Sequence, residues 1–320
     1  MIYIVLFLLS LTLTYFIKEH AIKNARIAQV NERSSHTIPT PYGGGIAIAA
    51  TWFLGLTYLF VMKEIDHSLY FALMAGLIIA VVGYFDDLYE LSAKVRIGVQ
   101  SLVAIMGLYF IGGLQRIDLL FFSIENPILT NLFAFLMIVW FINLYNFLDG
   151  IDGYAGTEAV FLGLAGYVLF GGEHFLILIA AVSGFLMWNW HKAKIFMGDV
   201  GSTLLGYTVA IYALYYANQD SKNLWVWIIL FGVFWFDATL TLLRRKRNGE
   251  KLSLPHRKHA YQRLVQAGWS HSKVVVLSVC VNLVLFLLIY LHLNQFVAFL
   301  FSIIVLYSGI RWIDQQKGFE

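Results

Sequence analysis

The chain has 320 residues, 60% of them hydrophobic and only 13% charged, with a mean hydropathy of +0.73. A water-soluble fold lacks the interior to hide so much apolar side chain, so lipid is the expected solvent for most of it. The net charge of +3 is small and no nucleic-acid partner is expected, while the single cysteine, Cys280, excludes a disulfide framework and a Cys-rich metal site. In chain order, apolar runs predict membrane helices over 2–17, 45–62, 69–84, 97–111, 128–145, 158–170, 175–190, 203–217, 224–243, 274–291 and 296–312. The first has no basic residue ahead of it and no clear small-residue cleavage site, and reads as a retained helix rather than a signal peptide. The fourth, sixth and eighth runs fall short of the roughly 20 residues that cross the hydrocarbon, which predicts tilt, extension by neighbouring residues or partial re-entry. The expected fold is all-α, one integral membrane domain over 1–320 with about eleven transmembrane helices, or ten.

Orientation follows from the basic residues. All but Lys63, Arg116 and Lys222 of the 22 Lys and Arg fall in the odd-numbered connections or the C-terminal tail. The positive-inside rule then places the N-terminus outside and the C-terminus in the cytoplasm. The cytoplasmic loops are 18–44, 85–96, 146–157, 191–202 and 244–273.

Every unusual polar cluster falls in one of these loops, which predicts one composite site. Asp86 and Asp87 are adjacent at a membrane boundary, where two carboxylates repel each other and resist desolvation. A divalent cation with a phosphate ligand satisfies both, and hard oxygen donors favour Mg²⁺, with Mn²⁺ as an alternative. Asp149 and Asp152 share a face if their segment opens a helix, and Asn146 adds an amide to the same turn. Asp199 lies between Gly198 and Gly201 where the next helix begins, a place for a metal ligand or a phosphate. Each acidic turn alone reads equally well as a helix cap; three on one side of a membrane do not. In the basic connection after 243, Arg257 can clamp a diphosphate and His259 can donate to a phosphate oxygen or relay a proton. The segment from Ser34 to Gly45, which holds His36, Pro39, Pro41 and three glycines, predicts either a rigid loop close to a ligand or a simple chain break.

These motifs, in this order from about Ser34 to Trp269, resemble the polyprenyl-phosphate N-acetylhexosamine-1-phosphate transferase superfamily, glycosyltransferase family 4, which includes the MraY-like and WecA-like enzymes. The resemblance is carried by Asp86-Asp87, by Asn146-x-x-Asp149-Gly-x-Asp152-Gly, and by Phe196-Met197-Gly198-Asp199-x-Gly201-Ser202. It implies Mg²⁺-dependent transfer of a sugar 1-phosphate from a UDP-N-acetylhexosamine to undecaprenyl phosphate, with UMP leaving, at a bacterial inner membrane. It also implies that Asp199 is a metal ligand, that Phe196 stacks on uracil, and that Lys94 lies near phosphate. In the mechanism expected on that basis, Asp87 would assist Asp199 at the metal, and His36 and Asn146 would contact substrate. Asp86 would orient the lipid phosphate, Asp149 and Asp152 would fix the nucleotide or support the metal, and Arg257 and His259 would hold the diphosphate. A double displacement through an aspartyl phosphate is the mechanistic rival. Three departures stand out: Glu90 as the third acid, Tyr42 in place of a basic residue, and His259-Ala260-Tyr261-Gln262 in place of a His-rich run. The last argues against muramyl-pentapeptide transfer and is similar to the WbpL-like subgroup that starts O-antigen or related glycans. Membrane lipids are expected partners, and a homodimer is one open assembly state. The competing class is a transporter or carrier of lipid-linked or nucleotide sugars, but transporters bind near the midplane on broken helices, and here the acidic clusters sit in loops. Asp237 is the main mid-span exception.

Overall fold

The computed structural model describes residues 1–28, 39–119, 121–252, 254, 256–291 and 294–319. The described chain is a bundle of α-helices with two small antiparallel strand pairs in its connections: β1 (Ile27–Ala28) with β2 (Thr40–Pro41), and β3 (Ile117–Asp118) with β4 (Ser123–Ile124). The helices are α1 (Ile2–Lys23), α2 (Gly45–Met62), α3 (His67–Met74), α4 (Gly76–Tyr89), α5 (Ala93–Ile111), α6 (Pro127–Leu148), α7 (Tyr154–Phe170), α8 (Glu173–Asn189), α9 (Asp199–Gln219), α10 (Asn223–Leu230), α11 (Gly232–Arg247), α12 (Ala260–Gln266), α13 (His271–Tyr290) and α14 (Gln295–Gln316).

Each predicted apolar run lies on a helix or on a closely joined pair. Among the described residues seven segments are long and apolar enough to cross a membrane, α3 and α4 together forming one of them, and α10 with α11 makes an eighth span if the pair, bent by 72°, is counted as one. The short runs prove to be extended ones: the fourth begins at Ala93, the sixth at Tyr154 and the eighth at Asp199. At 17 residues each, α7 and α8 reach about 26 Å, close to the hydrocarbon thickness of roughly 30 Å.

Helix starts are set by local chemistry. Asp66, Ser92, Asn126, Ser270 and Asn294 each accept a hydrogen bond from a backbone N–H in the first turn of the helix that follows, and Pro127 takes the position where no N–H is needed. A cap of this kind contributes about 1 kcal/mol. Burial is inverted at the periphery, where large apolar side chains such as Ile4, Phe16, Leu102, Tyr109 and Leu136 are exposed. On a water-soluble protein so much apolar surface would aggregate; against lipid tails it is the proper coat.

The axis of the bundle is α9. Nearly all of its residues are buried, and it packs on α2, α3, α4, α5, α6, α7 and α10. Its Ser, Thr, Tyr and Gly content makes it less apolar than its neighbours. A helix enclosed by protein has no need of a lipophilic surface, and small residues let the surrounding backbones approach. Because α9 starts where α4 and α6 end, the centre of the bundle delivers three helix ends to one spot.

Candidate active site

The cavity at that spot has a volume of about 320 Å³ and is lined by Asp87, Asn146, Asp149, Asp152, Phe196 and Asp199, among others. A second cavity of about 280 Å³ is lined by Asp86, Arg96, Gln100 and Asn143 and by apolar residues of α4 and α5; it shares Asn146 and Asp199 with the first. The acidic residues expected to converge therefore do so.

The segment before α9 runs extended. Ile195 and Met197 point into the core, and Phe196 between them faces the cavity, as strand alternation requires. It is held from the other side by the loop ahead of α2. The Phe196 N–H donates to the Pro41 carbonyl (2.8 Å), Gly44 N–H donates to Phe196 O (2.9 Å), and Gly45 N–H donates to Met197 O (2.8 Å). Of the two expectations for the Pro/Gly-rich segment, the described part fits the rigid loop: it braces Phe196. The Tyr42 hydroxyl also donates to the Asp87 carbonyl at 3.2 Å. Gly198 follows with φ +76°, and a Cβ there would come within 2.6 Å of Asp87 Oδ2. Only glycine fits this turn.

The carboxylates are tied to one another by backbone and amide groups. Asp87 Oδ1 accepts the Asp199 N–H at 3.0 Å, while Asp87 Oδ2 is buried with no hydrogen-bond partner among the described residues. Asn146 Nδ2 donates to Asp199 Oδ1 (2.7 Å) and to Ser202 Oγ (3.1 Å). Asp149 ends α6; desolvation by the surrounding protein, then the charges of Asp199 and Asp87, push its pKa well above the usual carboxylate range. An orphaned buried carboxylate oxygen beside two further acids is a donor set suited to a cation. Hard oxygens from Asp87, Asp149 and Asp199 fit Mg²⁺ in chemical type. Asp86 sits on the neighbouring cavity, where Oδ1 accepts the Leu91 N–H (2.7 Å) and Oδ2 meets Arg96 Nη1 at 3.4 Å.

Asp152 is nearly buried on the far wall of the first cavity. Burial would raise its pKa, but the hydrogen bond and charge of His271, the Ala193 N–H and His191 outweigh it and hold the carboxyl below its ordinary value. Asn189, which sequence reasoning did not single out, ties this wall together: Oδ1 accepts the Gly153 N–H (3.0 Å) and Nδ2 donates to Ile195 O (2.9 Å). Nothing in its local sequence marks it, because one partner, Gly153, belongs to a distant loop and the other, Ile195, lies six residues on in the loop that follows α8.

Other expected residues lie elsewhere. Lys94 is exposed on the first turn of α5 and lines neither cavity; Arg96, on the same turn but about 200° round the helix, lines the second one. Arg257 is half-buried on the loop before α12, its carbonyl accepting Gln266 Nε2 at 2.6 Å. His259 is buried behind Phe147, and its Nδ1 faces Asp237 Oδ1 at 3.7 Å. Glu90 is exposed and ends α4 in the left-handed region, with φ +49°. His36 lies outside the described residues.

Asp237 is the group whose role was not foreseen. Both of its carboxylate oxygens lie 2.9 Å from the Ala260 N–H, and Oδ1 also accepts the Thr241 hydroxyl at 3.1 Å. It thus caps α12 from α11. That short helix in turn presses Tyr261 onto the 146–153 turn, the Tyr261 hydroxyl donating to Phe147 O at 3.1 Å. Asp237→Ala is expected to cost about 2–3 kcal/mol in thermal unfolding of the detergent-solubilised protein, since it strands buried donors. Asp237→Asn keeps an acceptor and should lose less than half of that; equal losses would mean that the cap is not what Asp237 provides.

Fold and site define an integral membrane protein with an acidic cavity at one end of a helical bundle. The profile of glycosyl transferase family 4 matches residues 69–217, the segment that holds every one of these acids except Asp237. The chain is 34% identical to the probable undecaprenyl-phosphate N-acetylglucosaminyl 1-phosphate transferase of Bacillus subtilis, over 98% of this chain and 86% of that one. It is 31% identical to the undecaprenyl-phosphate alpha-N-acetylglucosaminyl 1-phosphate transferase of Yersinia pestis, over 86% and 79%. With the decaprenyl-phosphate N-acetylglucosaminephosphotransferase of Mycobacterium tuberculosis it shares 30% identity, over 83% and 76%. The chain belongs to glycosyl transferase family 4, the polyprenyl-phosphate N-acetylhexosamine-1-phosphate transferase superfamily.

Proposed function

We propose that this protein transfers an N-acetylhexosamine 1-phosphate from a UDP-sugar to undecaprenyl phosphate at the cytoplasmic face of a bacterial inner membrane, forming the lipid-diphosphate-linked first sugar of O-antigen or a related envelope glycan. The observation that carries this reading is the unpartnered Asp87 Oδ2 in a cavity shared with Asp149 and Asp199. The named relatives act on N-acetylglucosamine donors, which makes UDP-N-acetylglucosamine the first donor to try.

Both reacting groups are anionic, so the barrier is mostly charge repulsion and alignment. Asp87, Asp149 and Asp199 would hold Mg²⁺. When bound, the ion neutralises diphosphate charge. Phe196 stacks on the uracil, and Asp152 lines the nucleotide side of the cavity. The acceptor phosphate enters through the second cavity, whose walls are apolar on one side and carry Asp86 and Arg96 on the other. Arg96 offsets its charge, and Asp86 orients it and takes its proton. An acceptor oxygen then attacks the β-phosphorus in line, and the bond to the bridging oxygen breaks to release UMP. Arg257 and the exposed Lys94 line neither cavity and contribute only long-range positive charge as UMP departs, while His259 acts through α12 as a positioning residue.

Purified protein given UDP-sugars and undecaprenyl phosphate should release UMP and form radiolabelled lipid with UDP-N-acetylglucosamine, UDP-N-acetylfucosamine or UDP-N-acetylquinovosamine. UDP-MurNAc-pentapeptide should fail. Chelation should stop turnover and added Mg²⁺ restore it. Absence of UMP with every donor, together with saturable uptake into vesicles, would establish a carrier instead.

A further inference from the structure

We propose a second metal site, for a borderline cation of the Zn²⁺ type, formed by Asp152, His191 and His271. The three side chains come from separate segments: the α6–α7 turn, the α8–α9 loop and the first residue of α13. His191 Nδ1 lies 3.1 Å and His271 Nδ1 3.2 Å from the same oxygen, Asp152 Oδ2. One ligand atom from each of the three falls within 4.8 Å of the others.

His271 Nδ1 lies 3.2 Å from Asp152 Oδ2 and 3.3 Å from the Asp152 nitrogen, and the same Oδ2 also accepts the Ala193 N–H at 3.2 Å. With Nδ1 protonated it donates to Oδ2; with Nδ1 unprotonated its lone pair and those of His191 and Oδ2 converge on one point, where a metal ion takes the proton's place. The two histidine-to-carboxylate spacings suit one: ligand atoms on a tetrahedral ion with bonds of 2.0–2.1 Å are about 3.3 Å apart. Two imidazoles and one carboxylate select zinc, cobalt or nickel over magnesium, which sets this cluster apart from the all-oxygen set at Asp87, Asp149 and Asp199. Access exists as well. The His191 side chain is 33% exposed, and Asp152 and His271 line the first cavity, which leaves the fourth coordination position to water.

The test needs no transfer activity. Untagged full-length protein in detergent, in excess Mg²⁺, is titrated with Co²⁺ and followed by its visible absorption, and then with Zn²⁺ as displacing ion. One equivalent of Co²⁺ with the intense bands of a four-coordinate ion is expected. His191→Ala, at a partly exposed position, should weaken binding by at least about tenfold, and His271→Gln should do the same. Asp199→Asn should leave it unchanged. Absence of such bands, wild-type affinity in both histidine variants, or loss of binding only in Asp199→Asn would overturn the proposal, the first by reducing the cluster to protonated imidazoles on a carboxylate.

Discussion

Replacing Asp199 with asparagine is expected to lower Mg²⁺-dependent turnover by about 10³-fold or more while the protein stays folded. The side chains are nearly isosteric, and the Asn146 amide can still donate to the remaining carbonyl oxygen, so the start of α9 is preserved. What disappears is one negative charge of the set that faces the cavity. Two readouts move in opposite directions. Without metal the variant should unfold at or above the wild-type temperature, because Asp87 and Asp149 lose a like-charged neighbour. With millimolar Mg²⁺ the wild type should gain stability by ligand linkage and the variant should not. Turnover near that of the wild type, or an undiminished thermal shift on adding Mg²⁺, would remove Asp199 from the metal site.

The acidic turns were legible in the sequence for an energetic reason. Carboxylates at a membrane boundary are costly, so each needs a cause, and several on one side share it. Span positions were legible because lipid demands long apolar runs. Legibility fails where the partner is protein. At α9 the hydropathy drops because its neighbours replace lipid, and the predicted run 203–217 is shorter than the helix Asp199–Gln219. The 72° bend between α10 and α11 has no proline to announce it. It falls at Phe231-Gly232, where a Cβ on Gly232 would lie 2.8 Å from Leu285 of α13, so tertiary packing sets the kink. Long-range polar pairs are hidden for the same reason. Lys94 and Arg96 look alike in the sequence, yet only Arg96 occupies the helix face that meets Asp86. Asp237 reads as a stray mid-span acid until α12 folds back to supply its N–H.

Gly45→Ala is the second large effect, and it tests whether the loop ahead of α2 sets the geometry of the site. A Cβ at Gly45 would lie 2.3 Å from the Gly201 nitrogen and 2.5 Å from its Cα. Both are backbone atoms, so no rotamer change relieves the clash, and the first turns of α2 and α9 must separate. That movement pulls on the Gly45 N–H to Met197 O bond and on the neighbouring bonds that hold Phe196. Overpacking of this kind costs about 3 kcal/mol or more where backbone must yield. Turnover should fall by about 10²-fold, since misplacement near 1 Å has that effect on aligned reactants. Gly98→Ala is the matched control: the position lies within α5 and a Cβ there meets nothing within 4 Å. Its expected effect is neutral or stabilising by up to about 1 kcal/mol, from helix propensity alone. If Gly45→Ala proved as benign as Gly98→Ala in both unfolding temperature and turnover, α2 and α9 would not be in the tight register described, and Phe196 would owe its position to something other than this loop.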